Sequence, residues 1–159
     1  MKNKQELKVG DKIVEQGQVF RIFKIQKETI FYKPYFCVKG ETSFTCSIPA
    51  ENVDKTKIRN PISLADLKTL TEKLKIKNKT QDCPNADDAK ELLKSDDPIE
   101  TVVVLRTLWE EKERSPENFS RSKKEIFELA MERLVQEFAL VSRISLEKAR
   151  ERIDLALQS

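Results

Sequence analysis

Ile58-Arg59-Asn60-Pro61-Ile62-Ser63 is the stretch on which the fold turns. Proline biases Asn60 away from helix, and composition changes on either side of it. Seven aromatic residues precede it between Phe20 and Phe44: Phe20, Phe23, Phe31, Tyr32, Tyr35, Phe36 and Phe44. Beyond Pro61 the chain is rich in Leu, Ala, Glu and Lys, residues that favour helix over strand. The segment therefore reads as a linker between a β-rich part, residues 1–58, and a helical part, residues 62–159.

The first part contains four short β-prone runs, Asp11–Glu15, Val19–Gln26, Thr29–Val38 and Ser43–Ile48. Turn signals at Gln16-Gly17, Lys27-Glu28 and Gly40-Glu41 separate them. Strands this closely spaced predict a small, strongly bent sheet or barrel. Pro34 marks an edge or a bulge in the third run. Pro49-Ala50-Glu51-Asn52 closes the last strand as a turn.

The second part carries helix-start signals. Ser63 precedes Leu64–Leu74 with Asp66 three residues on, and Asp97-Pro98-Ile99-Glu100 combines an N-cap, an early proline and a capping-box acid. Ser122-Lys123-Lys124-Glu125 reads as another capping box, and Ser145 as the cap of Leu146–Leu157. Phe127, Ala130, Met131, Leu134, Phe138 and Val141 recur at helical spacing and predict one buried face. Leu146, Ala149, Ile153 and Leu157 do the same in the last helix. Ile99, Val102, Val103, Arg106 and Trp109 share a face of the helix before them. That spacing assigns Trp109 to the core and leaves open whether Arg106 pairs with a carboxylate or points outward.

Composition narrows the chemistry. The 159 residues contain no histidine, which removes imidazole bases, Ser-His and Cys-His pairs and His-ligated metal sites. Three glycines, Gly10, Gly17 and Gly40, cannot build a glycine-rich phosphate loop. Cys37, Cys46 and Cys83 form no C-x-x-C pair and read as reduced thiols. No apolar leader or membrane-length apolar run is visible, so a soluble cytoplasmic protein without a cofactor is expected. Charge is unevenly spread. Residues 1–61 hold 12 Lys/Arg against 7 Asp/Glu, net +5, whereas residues 62–159 hold 18 against 20, net −2. A basic first part suits an acidic protein surface or nucleic acid, or is simply a solvated surface.

The order of motifs resembles the CarD/CdnL family of bacterial transcription regulators. Leu7-Lys8-Val9-Gly10-Asp11-Lys12-Ile13-Val14 opens the β module and Ser47-Ile48-Pro49-Ala50-Glu51-Asn52 closes it. Val102–Trp109 and Leu134-Val135-Gln136-Glu137-Phe138-Ala139 follow in the helical part. The resemblance implies an α+β protein: a small N-terminal Tudor-like β-barrel that docks on the lobe of the RNA polymerase β subunit, then an all-helical C-terminal domain that reaches promoter DNA. It implies stabilisation of the open promoter complex and no enzymatic activity. Several residues depart from the family pattern. Glu15-Gln16-Gly17-Gln18 stands where a Tyr-Pro-x-x-Gly segment is common, and Ser47 where a basic residue is common. Gln81–Asp88 stands where the family has a DNA-wedging tryptophan followed by basic residues. No residue here inherits the wedge.

The candidate sites follow. Arg21, Lys24 and Lys27 lie on or beside one strand, either as an exposed edge guarded by charge or as an electrostatic dock. Arg21 and Lys27 share parity and Lys24 does not, so all three cannot occupy one face of a regular strand. With Phe44, Ser47 and Pro49 they form the expected polymerase-binding set. Lys73, Lys75, Lys77 and Lys79 form the basic run expected to meet promoter DNA weakly and without sequence preference, or else to solvate a helix end. The expected partners of the monomer are the polymerase β subunit and promoter DNA. The alternative is a protein–protein adaptor without significant DNA binding.

Overall fold

The computed structural model describes residues 7–36, 44–76 and 85–159. The chain divides into two compact units, Met1–Ile62 and Ser63–Ser159.

In the first unit, β1 (Lys12–Glu15), β2 (Gln18–Gln26), β3 (Thr29–Pro34) and β4 (Cys46–Pro49) form one antiparallel sheet in the order β1-β2-β3-β4. The first two hairpins are closed by Gln16-Gly17 and Lys27-Glu28. All four of these residues have positive φ, the backbone that matches the twist of two-residue hairpins. Lys27 and Glu28 hold it without glycine, at φ 50° and 61°. Alternation along the strands turns Ile13, Phe20, Ile22, Ile30, Tyr32 and Ile48 to the inner face, where Val53 and Ile58 complete the core. Phe20 and Tyr32 pack edge to face at 5.2 Å. Val53 comes from a 3-10 helix, Ala50–Lys55, that takes the place of the expected turn after β4.

The α+β class is as expected, but the barrel is not. The sheet is open among the described residues, with β1 and β4 at opposite edges. The outer edge of β1 is instead covered by the linker: Val14 N–H donates to the Arg59 carbonyl at 2.8 Å, and Arg59 N–H returns to Val14 at 3.0 Å. That bridge occupies the middle of the β1 edge where closure onto β4 would have to pair. β3 also ends at Pro34, short of the predicted Val38; Cys37 and Val38 lie outside the described residues.

The second unit holds α1 (Leu64–Lys75), α2 (Ala86–Leu93), α3 (Pro98–Arg114), α4 (Arg121–Ser142) and α5 (Leu146–Gln158). Side-chain caps set their starts. Ser63 and Asp66 form a complete capping box on α1, Asn85 caps α2, Asp97 accepts from Ile99 N–H on α3 and Ser145 accepts from Lys148 N–H on α5. Ser122 does not cap α4. Ser120 does, accepting from Lys123 N–H at 3.2 Å. The earlier start follows the 3-10 turn Pro116–Asn118 directly and lets Phe119 bury its ring.

α3 packs against α1, α2 and α4, so it is buried over more than one stripe. Thr101, Val102, Val104, Leu105, Thr107 and Leu108 are inside, while Ile99 and Val103, both 48% exposed, face out. That corrects the predicted face, which counted both among its members. Trp109 is half-buried rather than core, its ring 5.1 Å from the Arg106 guanidinium. Arg106 is the inward polar group, 3% exposed. Its Nη1 donates to the Leu74 carbonyl in the last turn of α1 at 2.8 Å and to the Leu157 carbonyl in the last turn of α5 at 2.6 Å. Its Nε donates to Glu110 Oε1 at 3.0 Å. One guanidinium thus satisfies carbonyls that two helix ends leave orphaned, where the helix dipoles are negative.

Arg106→Met should destabilise the helical unit by about 3–5 kcal/mol, because it strands two buried carbonyls and a largely buried carboxylate. Denaturant unfolding of the helical signal checks this; a loss below about 1 kcal/mol would mean that water serves those carbonyls equally well.

Candidate partner-binding face

The outward face of the sheet is built by one irregularity in β2. Ile22 pairs with Tyr32 and Lys24 pairs with Phe31, so Phe23 is an extra residue between them. The insertion resets parity. Arg21, opposite Lys33, and Lys24, opposite Phe31, now lie on the same outward face. The separation expected from a regular strand is corrected by this bulge. Lys27 belongs to neither face, since it sits in the β2–β3 turn at positive φ.

β4 continues that face. Ser47 pairs with Phe31, and Pro49 with Thr29; both are exposed, and β4 is an edge strand. The structure therefore brings Arg21, Lys24, Ser47 and Pro49 onto one surface, with Lys27 at its corner. Phe44 is not part of it. Its ring packs edge to face on Phe20, 6.2 Å away, at the rim of the inner core.

Sequence reading missed five residues of this face. Lys12 lies over the Tyr35 ring at 5.7 Å, Lys33 over Phe23 at 5.2 Å and Lys24 over Phe31 at 5.6 Å. The alternation of Phe31 and Lys33 with buried Ile30 and Tyr32 marks those two as outward. Lys12 and Phe23 needed the register and the bulge. Cation–ring pairs of this kind are each worth about 0.5–1 kcal/mol when exposed.

The inner face carries a polar cluster of its own. Tyr32 Oη donates to Glu15 Oε2 at 3.3 Å, beside the Cys46 thiol. Burial, then the Glu15 carboxylate, pushes the Tyr32 phenol well above its ordinary range. Burial and Glu15 also raise the Cys46 thiol, against a smaller lowering from its hydrogen bond to Tyr32. No group of side chains suited to hold a metal occurs among the described residues, and no described helix is long and apolar enough to cross a membrane.

In the helical unit, Lys73 and Lys75 are exposed in the last turn of α1, and Lys75 pairs with Glu72 at 3.4 Å. Lys77 and Lys79 lie outside the described residues, as do Gln81–Pro84 of the segment where a wedge would sit. The rest of that segment starts α2: Asn85 is its cap, and Asp87 and Asp88 lie exposed in its first turn, where the dipole favours acids.

A family model described as CarD, C-terminal domain, matches residues 67–154, more than half of the chain. The chain belongs to the CarD family. No curated protein matches it. Membership places this chain among regulatory proteins of bacterial transcription. The matched span covers α2 to α4 in full and most of α1 and α5, and so contains Arg106 and its partners Leu74 and Glu110, with Leu157 just beyond it.

The Tyr32 cluster gives a pH dependence. Both acids have raised values in the folded state, so the native protein holds protons that the unfolded chain releases. Stability is therefore present below the ordinary cysteine and tyrosine values, 9.0 and 10.0, and is lost as pH rises through and above them. Tyr32→Phe should cost about 1 kcal/mol at pH 7 and make the alkaline loss shallower. Amide exchange of the β unit across that range checks both; an unchanged alkaline slope would contradict the assignment.

Proposed function

We propose that the β unit docks on the lobe of the RNA polymerase β subunit and that the helical unit then contacts promoter DNA and modulates open-complex stability. The observation that carries this reading is the convergence of Arg21, Lys24, Ser47 and Pro49 on one exposed face beside an edge strand. Such a face combines charge that steers an acidic partner with backbone groups able to extend its sheet. Ser47 supplies no charge where the family commonly has a base, so Lys24 and Lys27 carry more of the electrostatic attraction. Lys73, Lys75, Lys77 and Lys79 serve DNA by neutralising phosphates, without an indole wedge. The protein works as a cytoplasmic monomer, with no cofactor and no enzymatic step.

A second reading, an adaptor without significant DNA binding, draws on the net −2 charge of residues 62–159 and on exposed Asp87 and Asp88. The two readings separate on the full chain. Lys24→Glu/Lys27→Glu should weaken binding to polymerase at least tenfold at low salt, mainly through slower association; unchanged affinity would sink the dock. Duplex binding through four lysines should show a log–log salt slope of about −3.6, flattened by changing all four to Gln. A polymerase-bound protein with no such slope, and with open complexes as stable in the quadruple variant, would establish the adaptor instead.

A further inference from the structure

α5 sorts its charges by side. Glu147, Glu151 and Asp154 recur at i, i+4 and i+7 and share one strip, while Lys148 and Arg152, both exposed, share the next. These two cations stand between the acidic strip and the buried face of Ala149, Ile153, Ala156 and Leu157. Arg150 reaches both carboxylate oxygens of Glu128 at 3.0 Å and so marks the flank that faces α4. α5 packs chiefly on α4 and α1, so α1 lies along the opposite flank, the one that Lys148 and Arg152 border. The last turns of α1 and α5 meet at Arg106 Nη1, and that turn of α1 carries exposed Lys73 and Lys75.

The stability of α5 does not explain this placement. Like charges at i and i+4 are destabilising, and Lys148 stands in the first turn, where the helix dipole disfavours a cation. Neither side chain forms an ion pair among the described residues. We infer that Lys148 and Arg152 bind phosphates of duplex DNA, continuing onto α5 the surface that begins with the lysine run of α1. The inference rests on the DNA contact proposed above and gives it a second helix. Phosphate binding needs only clustered cations, and the acids of α5 are turned away from the border with α1. Bound phosphates also relieve the repulsion between Lys148 and Arg152. Together the two helices then neutralise about six phosphates.

The salt dependence of binding to a fluorescein-labelled duplex by the full chain tests this. Six neutralised phosphates predict a log–log slope of about −5.4. Lys148→Gln/Arg152→Gln should bring it to about −3.6, and changing Lys73, Lys75, Lys77 and Lys79 to Gln should leave about −1.8. Lys148 and Arg152 are exposed, so α5 stays folded without them, and a circular dichroism spectrum equal to the parent's checks that. Lys90→Gln/Lys94→Gln on α2 removes the same charge elsewhere and should leave the parent slope. A slope unmoved by Lys148→Gln/Arg152→Gln, or moved equally by the α2 pair, would overturn the inference and leave the lysine run standing. A slope flattened by the α5 pair but not by the four-lysine variant would keep the inference and remove the run. Polyglutamate that displaces the duplex at equal charge concentration would assign the strip to an acidic protein and overturn the inference. No duplex binding at all would remove both the inference and the DNA contact on which it rests.

Discussion

Phe23 has no cross-strand partner of its own, and the outward face of the sheet takes its composition from that insertion. In a regular strand, Arg21 and Lys24 would point to opposite sides, and one of them would face Ile22, Ile30 and Tyr32 in the core. A buried, unpaired lysine is far too costly for a four-stranded sheet with a single small core to hold. The bulge removes the conflict by resetting parity between Ile22 and Lys24. The apolar residues keep the inside, both cations reach the outside, and an aromatic ring joins them. The same residue that protects the core therefore creates the basic, ring-lined surface.

The helical unit depends on a comparable device of a different kind. α1 and α5 both end on the middle of α3, where their last carbonyls would be buried without partners. Arg106 answers both with one nitrogen, while its Nε takes Glu110 and its plane lies under Trp109. A planar group with several fixed donors can do this; a lysine, as a point charge on a flexible stem, would match the fork less well. Since α1 and α5 lie at the two ends of this unit's sequence, the junction fastens its termini to its centre. The same anchoring holds the last turn of α1, with Lys73 and Lys75, in place.

Much of this was legible in the sequence, for identifiable reasons. The break near Pro61 follows from proline chemistry and composition. The first two hairpins follow from their turn dipeptides, whereas the third turn, Gly40-Glu41, lies outside the described residues; the inward faces of α4 and α5 follow from apolar spacing. Ser63, Asp97 and Ser145 announced their helices because capping is local. Ser122 misled because two serines compete two residues apart, and burial of Phe119 decides between them. The stripe on α3 misled because a helix enclosed by three others loses a simple period, and Trp109 was assigned to the core on that stripe. The barrel failed because the edge of β1 is taken by Arg59, a pairing over more than forty residues that no local pattern encodes. The candidate face was half visible. Arg21, Lys24, Ser47 and Pro49 were named, yet nothing in a string of residues reveals that one of them is out of register.

Hydrogen exchange of the full chain, free and bound to RNA polymerase, tests most directly whether the outward face and edge of the sheet are the docking surface. The account predicts slowed exchange in the complex along β4 and around the Lys27-Glu28 turn, with the Arg106 junction in the helical unit unchanged. Protection confined to α3 and α4, with β4 exchanging as in the free protein, would contradict it.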